Sequence, residues 1–386
     1  MTTLSFEFAT ATRIVFGAGK LAEIGSLAKG FGRRALVITG GTPARAEGLL
    51  GRLHAAGVLS IPFSVVGEPT IALAAAGAAA ARESACDLVI GFGGGSALDA
   101  GKAIAAFVTN SAPPLRYLEV IGEGKALEQP PLPYIAIPTT AGTGAEVTRN
   151  AVLTSPEHKV KVSLRSPLML PRLALVDPEL SYGLPPAITA STGLDALTQV
   201  VEPFVCNAPN PITDALCREG IQRGAASLRE AYAKDTPRAR EGMALCSVLG
   251  GLALANARLG AVHGFAAPIG GMFSAPHGAI CAALLPQVMA INIAALRSRA
   301  AENPALHRYE DVARLLTGNA AAAAEDGAAW VADLVSALAV SPLASYGIGV
   351  DDLPAIVAKA RDASSMRGNP LPLTDEELTE VLVRAL

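Results

Sequence analysis

The chain has 386 residues, too many for one small core and, at roughly 100 to 200 residues per domain, enough for two or three domains. It is 51% hydrophobic and 17% charged, with an aromatic share of 4% and a mean hydropathy of +0.39, so its apolar mass is aliphatic and alanine-rich. Lys+Arg 31 against Asp+Glu 34 leaves a formal charge of -3, which excludes the composition of a disordered chain and offers no basic surplus to nucleic acid.

The amino terminus, MTTLSFEFATATRIVFGAG, has no basic region followed by an apolar one, and Glu7 sits where an apolar leader core would begin, so secretion is not expected. The alternation Leu4, Phe6, Phe8 predicts an edge strand open to a second subunit, which suggests a homodimer. Next come β-branched runs at 35–39, 61–66, 87–90 and 134–137, read as strands, with helical stretches at 46–56 and 71–84. This β-α-β-α order favours a parallel sheet covered by helices on both faces.

Two loops in this half have the composition of a phosphate cradle. The strand Asp87-Leu-Val-Ile90 leads into Gly93-Gly94-Gly95-Ser96, and a helix starts directly afterwards, with Ser96 placed as N-cap or as hydroxyl donor. Glycines let backbone N–H groups approach an anion, and the helix N-terminus adds partial positive charge. A second loop, Pro138-Thr139-Thr140-Ala-Gly142-Thr143-Gly144, follows the strand at 134–137. Two such loops at carboxyl ends of parallel strands form the edge where a dinucleotide binds. After the strand at 35–39, Gly40-Gly41 is followed by Arg45 and by no carboxylate before Glu47, a pattern that permits a 2'-phosphate and leans towards NADP(H).

The rhythm changes at Asp177-Pro-Glu-Leu-Ser-Tyr-Gly-Leu-Pro-Pro186. Beyond it, 187–204, 212–233 and 236–257 have helical periodicity with hardly any strand signal, and 320–324 reads as ordinary helix. The expected organisation is therefore an α/β dinucleotide-binding domain with a parallel sheet over 1–183 and an all-α domain over 184–386. Five cysteines (Cys86, Cys206, Cys217, Cys246, Cys281) lack any CxxC spacing and read as buried thiols in a reducing cytoplasm.

Between Arg258 and Arg297 lie 38 residues without Asp, Glu, Lys or Arg, more than the roughly 18 that flag a membrane span. The same stretch contains His263, His277, Pro268, Pro276, Pro286 and Gly270-Gly271, which points to a buried irregular site within protein and not to a membrane. Histidines in an aliphatic setting need both ring nitrogens satisfied, by backbone partners or by a metal. Upstream, Asp195 and Gln199 share one helical face, and Asp195 with two imidazoles suits Fe²⁺ or Zn²⁺ better than Ca²⁺ or Mg²⁺.

Taken together, these blocks resemble the iron-containing (group III) alcohol dehydrogenase family, from Phe16-Gly-Ala-Gly-Lys-Leu to Asn369-Pro-Leu-Pro-Leu-Thr374. Its signatures appear as Gly93-Gly-Gly-Ser-Ala-Leu-Asp99-Ala-Gly-Lys102, Thr139-Thr-Ala-Gly-Thr-Gly-Ala-Glu146-Val-Thr148, Asp177-Pro-Glu-Leu, Gly193-Leu-Asp195-Ala-Leu, His263 and Pro276-His277-Gly278. The resemblance implies a dehydroquinate synthase-like architecture with an active-site cleft between its two domains. It implies that Gly95 and Ser96 hold the pyrophosphate, that Thr139, Thr140 and Thr143 line the cofactor, and that Lys161 and Leu180 complete its pocket. Gly40, Gly94, Asp99 and Asn150 join this cofactor-binding set. Asp195, His263 and His277 match three metal ligands and form the catalytic set. The usual fourth ligand, a histidine, is here Gln199, whose neutral carbonyl oxygen is a weaker donor than imidazole; a further histidine often found in the segment is here Ala267.

The implied activity is metal-dependent hydride transfer between NAD(P)(H) and a small alcohol or aldehyde, with Fe²⁺ or Zn²⁺ at the site. Two alternatives stand beside it. One is a maleylacetate-reductase-like oxo-acid reductase with weak or no metal dependence, its carboxylated substrate met by Arg149, Lys159, Lys161 and Arg165; the other is a nucleotide-binding protein in which Gln199 has ended catalysis.

Overall fold

The computed structural model describes residues 5–386. They fall into two units, Ala9–Thr140 with Gly144–Tyr182, and Gly183–Leu386 with Ala141–Thr143 and residues 5–8.

The first unit contains eight strands: β1 (Ile14–Phe16), β2 (Arg34–Thr39), β3 (Leu59–Ser64), β4 (Leu88–Gly93), β5 (Tyr134–Pro138), β6 (Asn150–Ser155), β7 (Val160–Arg165) and β8 (Leu173–Val176). Six form one sheet in the order β1-β8-β5-β4-β2-β3 with every pairing parallel, while β6 and β7 make a separate antiparallel hairpin. Its helices are α1 (Ile24–Lys29), α2 (Glu47–Ala55), α3 (Ile71–Glu83) and α4 (Gly95–Thr109). The central strands are apolar throughout because both faces are covered. On β2, Ala35 and Val37 join the core with Leu49 and Leu53 of α2, while Leu36 and Ile38 join the core with Ala78 of α3 and Ile104 of α4. The hairpin alternates, burying Ala151, Leu153, Val162 and Leu164 in that second core.

The chain leaves β2 for β3 on one side and returns across it to β4 on the other, so the order reverses between β2 and β4. At such a switch point the connecting loops part and leave a crevice beyond the carboxyl ends of the strands. The glycine-rich loop occupies that position. β4 runs on through Gly93, farther than the expected end at 90, because its apolar run continues through Phe92; β3 begins and ends two residues earlier than expected.

The second unit is helical: α5 (Pro186–Val205), α6 (Pro211–Lys234), α7 (Pro237–Asn256), α8 (Ala261–Met272), α9 (His277–Arg299), α10 (Ala305–Thr317), α11 (Ala324–Ala337), α12 (Leu353–Asp362) and α13 (Asp375–Ala385). Proline opens α5, α6 and α7 in their first turn, and the side chains of Asn210 and Thr236 cap α6 and α7. The charge-free segment runs through α8, the turn after it and α9 as far as Leu296. By length and composition α9 could cross a membrane, yet 83% of its most apolar window is buried within the protein.

Leu4 lies outside the described residues, and Phe6 to Phe8 join no strand within their own chain. Residues 320–323 are turn and loop, with α11 starting at Ala324. Gly318 ends α10 in the left-handed region, and Asn319 turns the chain by accepting the Ala321 N–H, local chemistry that overrides alanine's helix preference.

Candidate cofactor and metal sites

In the first unit, Gly40 follows β2, Gly93 to Ser96 join β4 to α4, and Thr139 and Thr140 follow β5, so three neighbouring strands present their carboxyl ends together. Thr139 N–H donates to Gly93 O at 2.9 Å, tying two of these loops. A Cβ on Gly93 would stand 2.6 Å from Ala97 Cβ and 3.4 Å from Gly40 N, so only glycine lets the loops approach this closely. Gly94, not Ser96, is the N-cap of α4: it is extended, and no side chain caps the helix. Ser96 sits inside the first turn, and the first-turn amides are not claimed by a side-chain cap, the arrangement that receives an anion.

Other expected cofactor residues have structural partners. Asp99 Oδ2 accepts Val152 N–H at 3.0 Å while Oδ1 pairs with Lys102 Nζ at 3.0 Å. Lys102 also donates to Thr148 Oγ1 at 2.9 Å and to the Asn150 carbonyl, fastening α4 to β6. Lys161 pairs with Glu68 at 3.0 Å, and the Leu180 carbonyl accepts from Arg45 Nη2 at 2.7 Å. Thr143 belongs with the second unit. Of the basic residues considered for an oxo acid, Arg165 pairs with Glu119 at 3.1 Å and Lys161 is the partner of Glu68.

In the second unit, Asp195, Gln199 and Glu202 line one face of α5 at helical spacing. His263 lies on α8 and His277 opens α9. The approach of α9 requires Gly278, whose Cβ would meet the Ser191 carbonyl oxygen at 2.6 Å. Asp195 Oδ1 stands 3.5 Å from His263 Nε2 and 3.7 Å from His277 Nε2, beyond the roughly 3.2 Å reach of a hydrogen bond. The Cys281 thiol, one turn along α9, is 3.7 Å from His277 Nε2, and the donor atoms of Asp195, His263, His277 and Cys281 all lie within 4.8 Å of one another.

Glu202, absent from the sequence-derived site, organises this cluster. Its Oε1 accepts Val262 N–H at 2.7 Å at the start of α8, and its Oε2 holds His263 Nδ1 at 2.7 Å. Asn369 Oδ1 accepts the neighbouring Ala261 N–H at 3.1 Å. With Nδ1 carrying the proton towards Glu202, the Nε2 lone pair of a neutral His263 faces the Asp195 carboxylate, and two electron-rich atoms require a cation or a proton between them. Burial disfavours the His263 imidazolium, but Asp195 and Glu202 outweigh it and lift its pKa to about 9. Burial likewise pushes Asp195 up, and the charge of His277, the nearness of His263 and the Gln199 amide hold it below the ordinary carboxylate value.

The residues fit a divalent metal. Among the described residues, Asp195 Oδ1 and Gln199 Oε1 are buried with no hydrogen-bond partner, a costly state unless a cation satisfies them. Oxygen and nitrogen donors about 2.1 Å from a tetrahedral centre stand about 3.4 Å apart, close to the separations between Asp195 and the two imidazoles. Gln199 directs Nε2 to Gly142 O at 3.2 Å.

Comparison with known proteins matches residues 11–178 to the iron-containing alcohol dehydrogenase model and 189–386 to the Fe-containing alcohol dehydrogenase carboxyl-terminal model. The chain is 33% identical to 1,3-propanediol dehydrogenase of Klebsiella pneumoniae over 98% of each chain. It is also 33% identical to lactaldehyde reductase of Escherichia coli, over 95% of this chain and 96% of the relative. The solved structure of sulfoacetaldehyde reductase from Bifidobacterium kashiwanohense in complex with NAD+ superposes with a TM-score of 0.88 at 29% identity, covering 99% of both chains.

Proposed function

Because the chain belongs to the iron-containing alcohol dehydrogenase family, we propose that it catalyses reversible hydride transfer between NAD(H) and a small alcohol or aldehyde, with a divalent metal held by Asp195, His263 and His277. The observation that supports this most directly is the buried Asp195 oxygen without a hydrogen-bond partner, faced by two imidazole nitrogens. When bound, the metal supplies Lewis acidity towards the substrate oxygen and the nicotinamide supplies or takes the hydride, chemistry that needs few protein acids.

The chain's own residues prepare these sites. First-turn amides of α4, with the glycine and threonine loops, receive the pyrophosphate. Glu202 fixes the His263 tautomer and ring orientation, and the aliphatic walls of α8 and α9 keep competing charges away from Asp195. NAD(H) is the proposed cofactor: the structural neighbour was solved with NAD+, and Arg45, the residue that suggested a 2'-phosphate, is engaged by the Leu180 carbonyl. The oxo-acid alternative is not favoured, since the relatives are named for propanediol and lactaldehyde.

Protein loaded with Fe²⁺ or Zn²⁺ is expected to oxidise NADH with short aldehydes and to reduce NAD⁺ with the matching alcohols. Absence of turnover across a panel of aldehydes and oxo acids, with either NADH or NADPH, overturns the proposal. We further infer a cytoplasmic homodimer without membrane or nucleic-acid partners, supported by five buried cysteines, the burial of α9 and the exposed Phe6. Light scattering and cell fractionation test it.

A further inference from the structure

The family pattern leaves a gap at Gln199, and the Cys281 thiol lies among the donor atoms of Asp195, His263 and His277. We propose that Cys281 supplies a thiolate as the fourth protein donor, making the metal site an Asp195/His263/His277/Cys281 set. The inference rests on the metal-site reading above and extends it to a residue outside the sequence-derived ligand set.

Three observations support it. First, His277 and Cys281 are four residues apart on the first turns of α9 and therefore share a face, with Sγ 3.7 Å from Nε2. A sulfur about 2.3 Å and a nitrogen about 2.0 Å from one tetrahedral centre stand about 3.5 Å apart. Second, all four donor atoms fall within 4.8 Å of one another, and the Asp195 oxygen among them is buried without a hydrogen-bond partner. Third, Gln199 Nε2 donates to Gly142 O at 3.2 Å, so its amide ties the 141–143 segment to α5. With its amide held there, Gln199 offers the cation a neutral carbonyl oxygen, a weaker donor than a thiolate. A thiolate also shifts the donor set towards softer metals, favouring Zn²⁺ over Mg²⁺ or Ca²⁺.

The test is zinc K-edge X-ray absorption on the whole protein, loaded with one equivalent of Zn²⁺ in buffer free of thiols, alongside elemental analysis. The expected spectrum contains one sulfur at about 2.3 Å and nitrogen or oxygen at about 2.0 to 2.2 Å, and Cys281→Ser loses the sulfur shell. Zinc bound by nitrogen and oxygen alone in the wild-type protein overturns the role of Cys281 and leaves the dehydrogenase reading standing. A sulfur shell that persists in Cys281→Ser assigns it to another residue and also overturns the proposal. Failure of the wild-type protein to retain zinc or iron overturns the metal site itself. Because the wild-type spectrum decides the matter, the result does not depend on the variant folding.

Discussion

The loops after β2, β4 and β5 are shaped by main-chain atoms and by missing Cβ atoms, whereas the cluster on α5, α8 and α9 is built from polar side chains set in an aliphatic core. In the loops, the working groups are backbone amides that every residue possesses, and what must be kept is space. In the cluster, Asp195, His263 and Glu202 each depend on the next for satisfaction, and the core offers no substitute partner. The first kind of site fails by crowding and the second by the loss of any one member. If so, damage to each unit should leave binding in the other intact.

The largest effect is expected from Asp195→Asn, which preserves shape and removes the central charge. Metal content should fall far below one per chain and kcat/KM about a thousandfold, matching a loss of several kcal/mol of transition-state stabilisation. NADH binding followed by calorimetry should be unchanged, and a parallel fall in it would break the separation. Next comes Glu202→Gln. One amide oxygen cannot accept from both Val262 N–H and His263 Nδ1 at the present geometry, so either α8 or the imidazole is released. Metal affinity, measured by competition with a chelator, should weaken about 10 to 100-fold, and unchanged affinity would remove Glu202 from its positioning role.

A smaller effect is expected on the loop side. The Cβ of Gly94→Val would lie 3.3 Å from Thr140 Oγ1 and 3.5 Å from its Cγ2, before the two methyl groups are added. The Kd for NADH should rise about tenfold, or 1.4 kcal/mol, with metal content unaffected. Loss of metal in this variant would argue against independent sites.

The two regions also differ in how far they can be read from sequence. The glycine-rich loop is local: strand, glycines and helix follow within a few residues, so its composition and position are visible together. Asp195 and Gln199 are visible as an i, i+4 pair, yet Glu202 continues the same face three residues later and reads as an ordinary solvated carboxylate until α8 is brought against it. Cys281 reads as one more buried thiol for the same reason, since its chemistry depends on α5 meeting the first turns of α9. The β6–β7 hairpin alternates buried Ala151, Leu153, Val162 and Leu164 with more exposed residues, a strand signal that is local but too short to stand out beside the longer apolar runs of the parallel sheet.

The smallest expected effect on turnover belongs to Glu146, buried in the first unit and outside both sites. Burial raises its pKa from 4.5 to about 7, against the lowering influence of its own backbone hydrogen bond and of Lys102. An unfolded chain gives up this proton near pH 4.5, but the folded protein keeps it until about pH 7, so over that interval the folded state binds more protons. Stability from this group is therefore complete below pH 4.5, declines as pH rises to about 7, and stays at its low value above. The full difference is on the order of 3 kcal/mol. Glu146→Gln keeps the size of the side chain and removes the titration. Its melting temperature should exceed that of the wild-type protein by a few degrees at pH 8, and the gap should close as pH falls towards 4.5. Parallel melting profiles across that range would mean that Glu146 titrates alike in both states. The contrast with Asp195 is then one of compensation: Lys102 only partly offsets the burial of Glu146, whereas His263 and His277 hold Asp195 below its ordinary value.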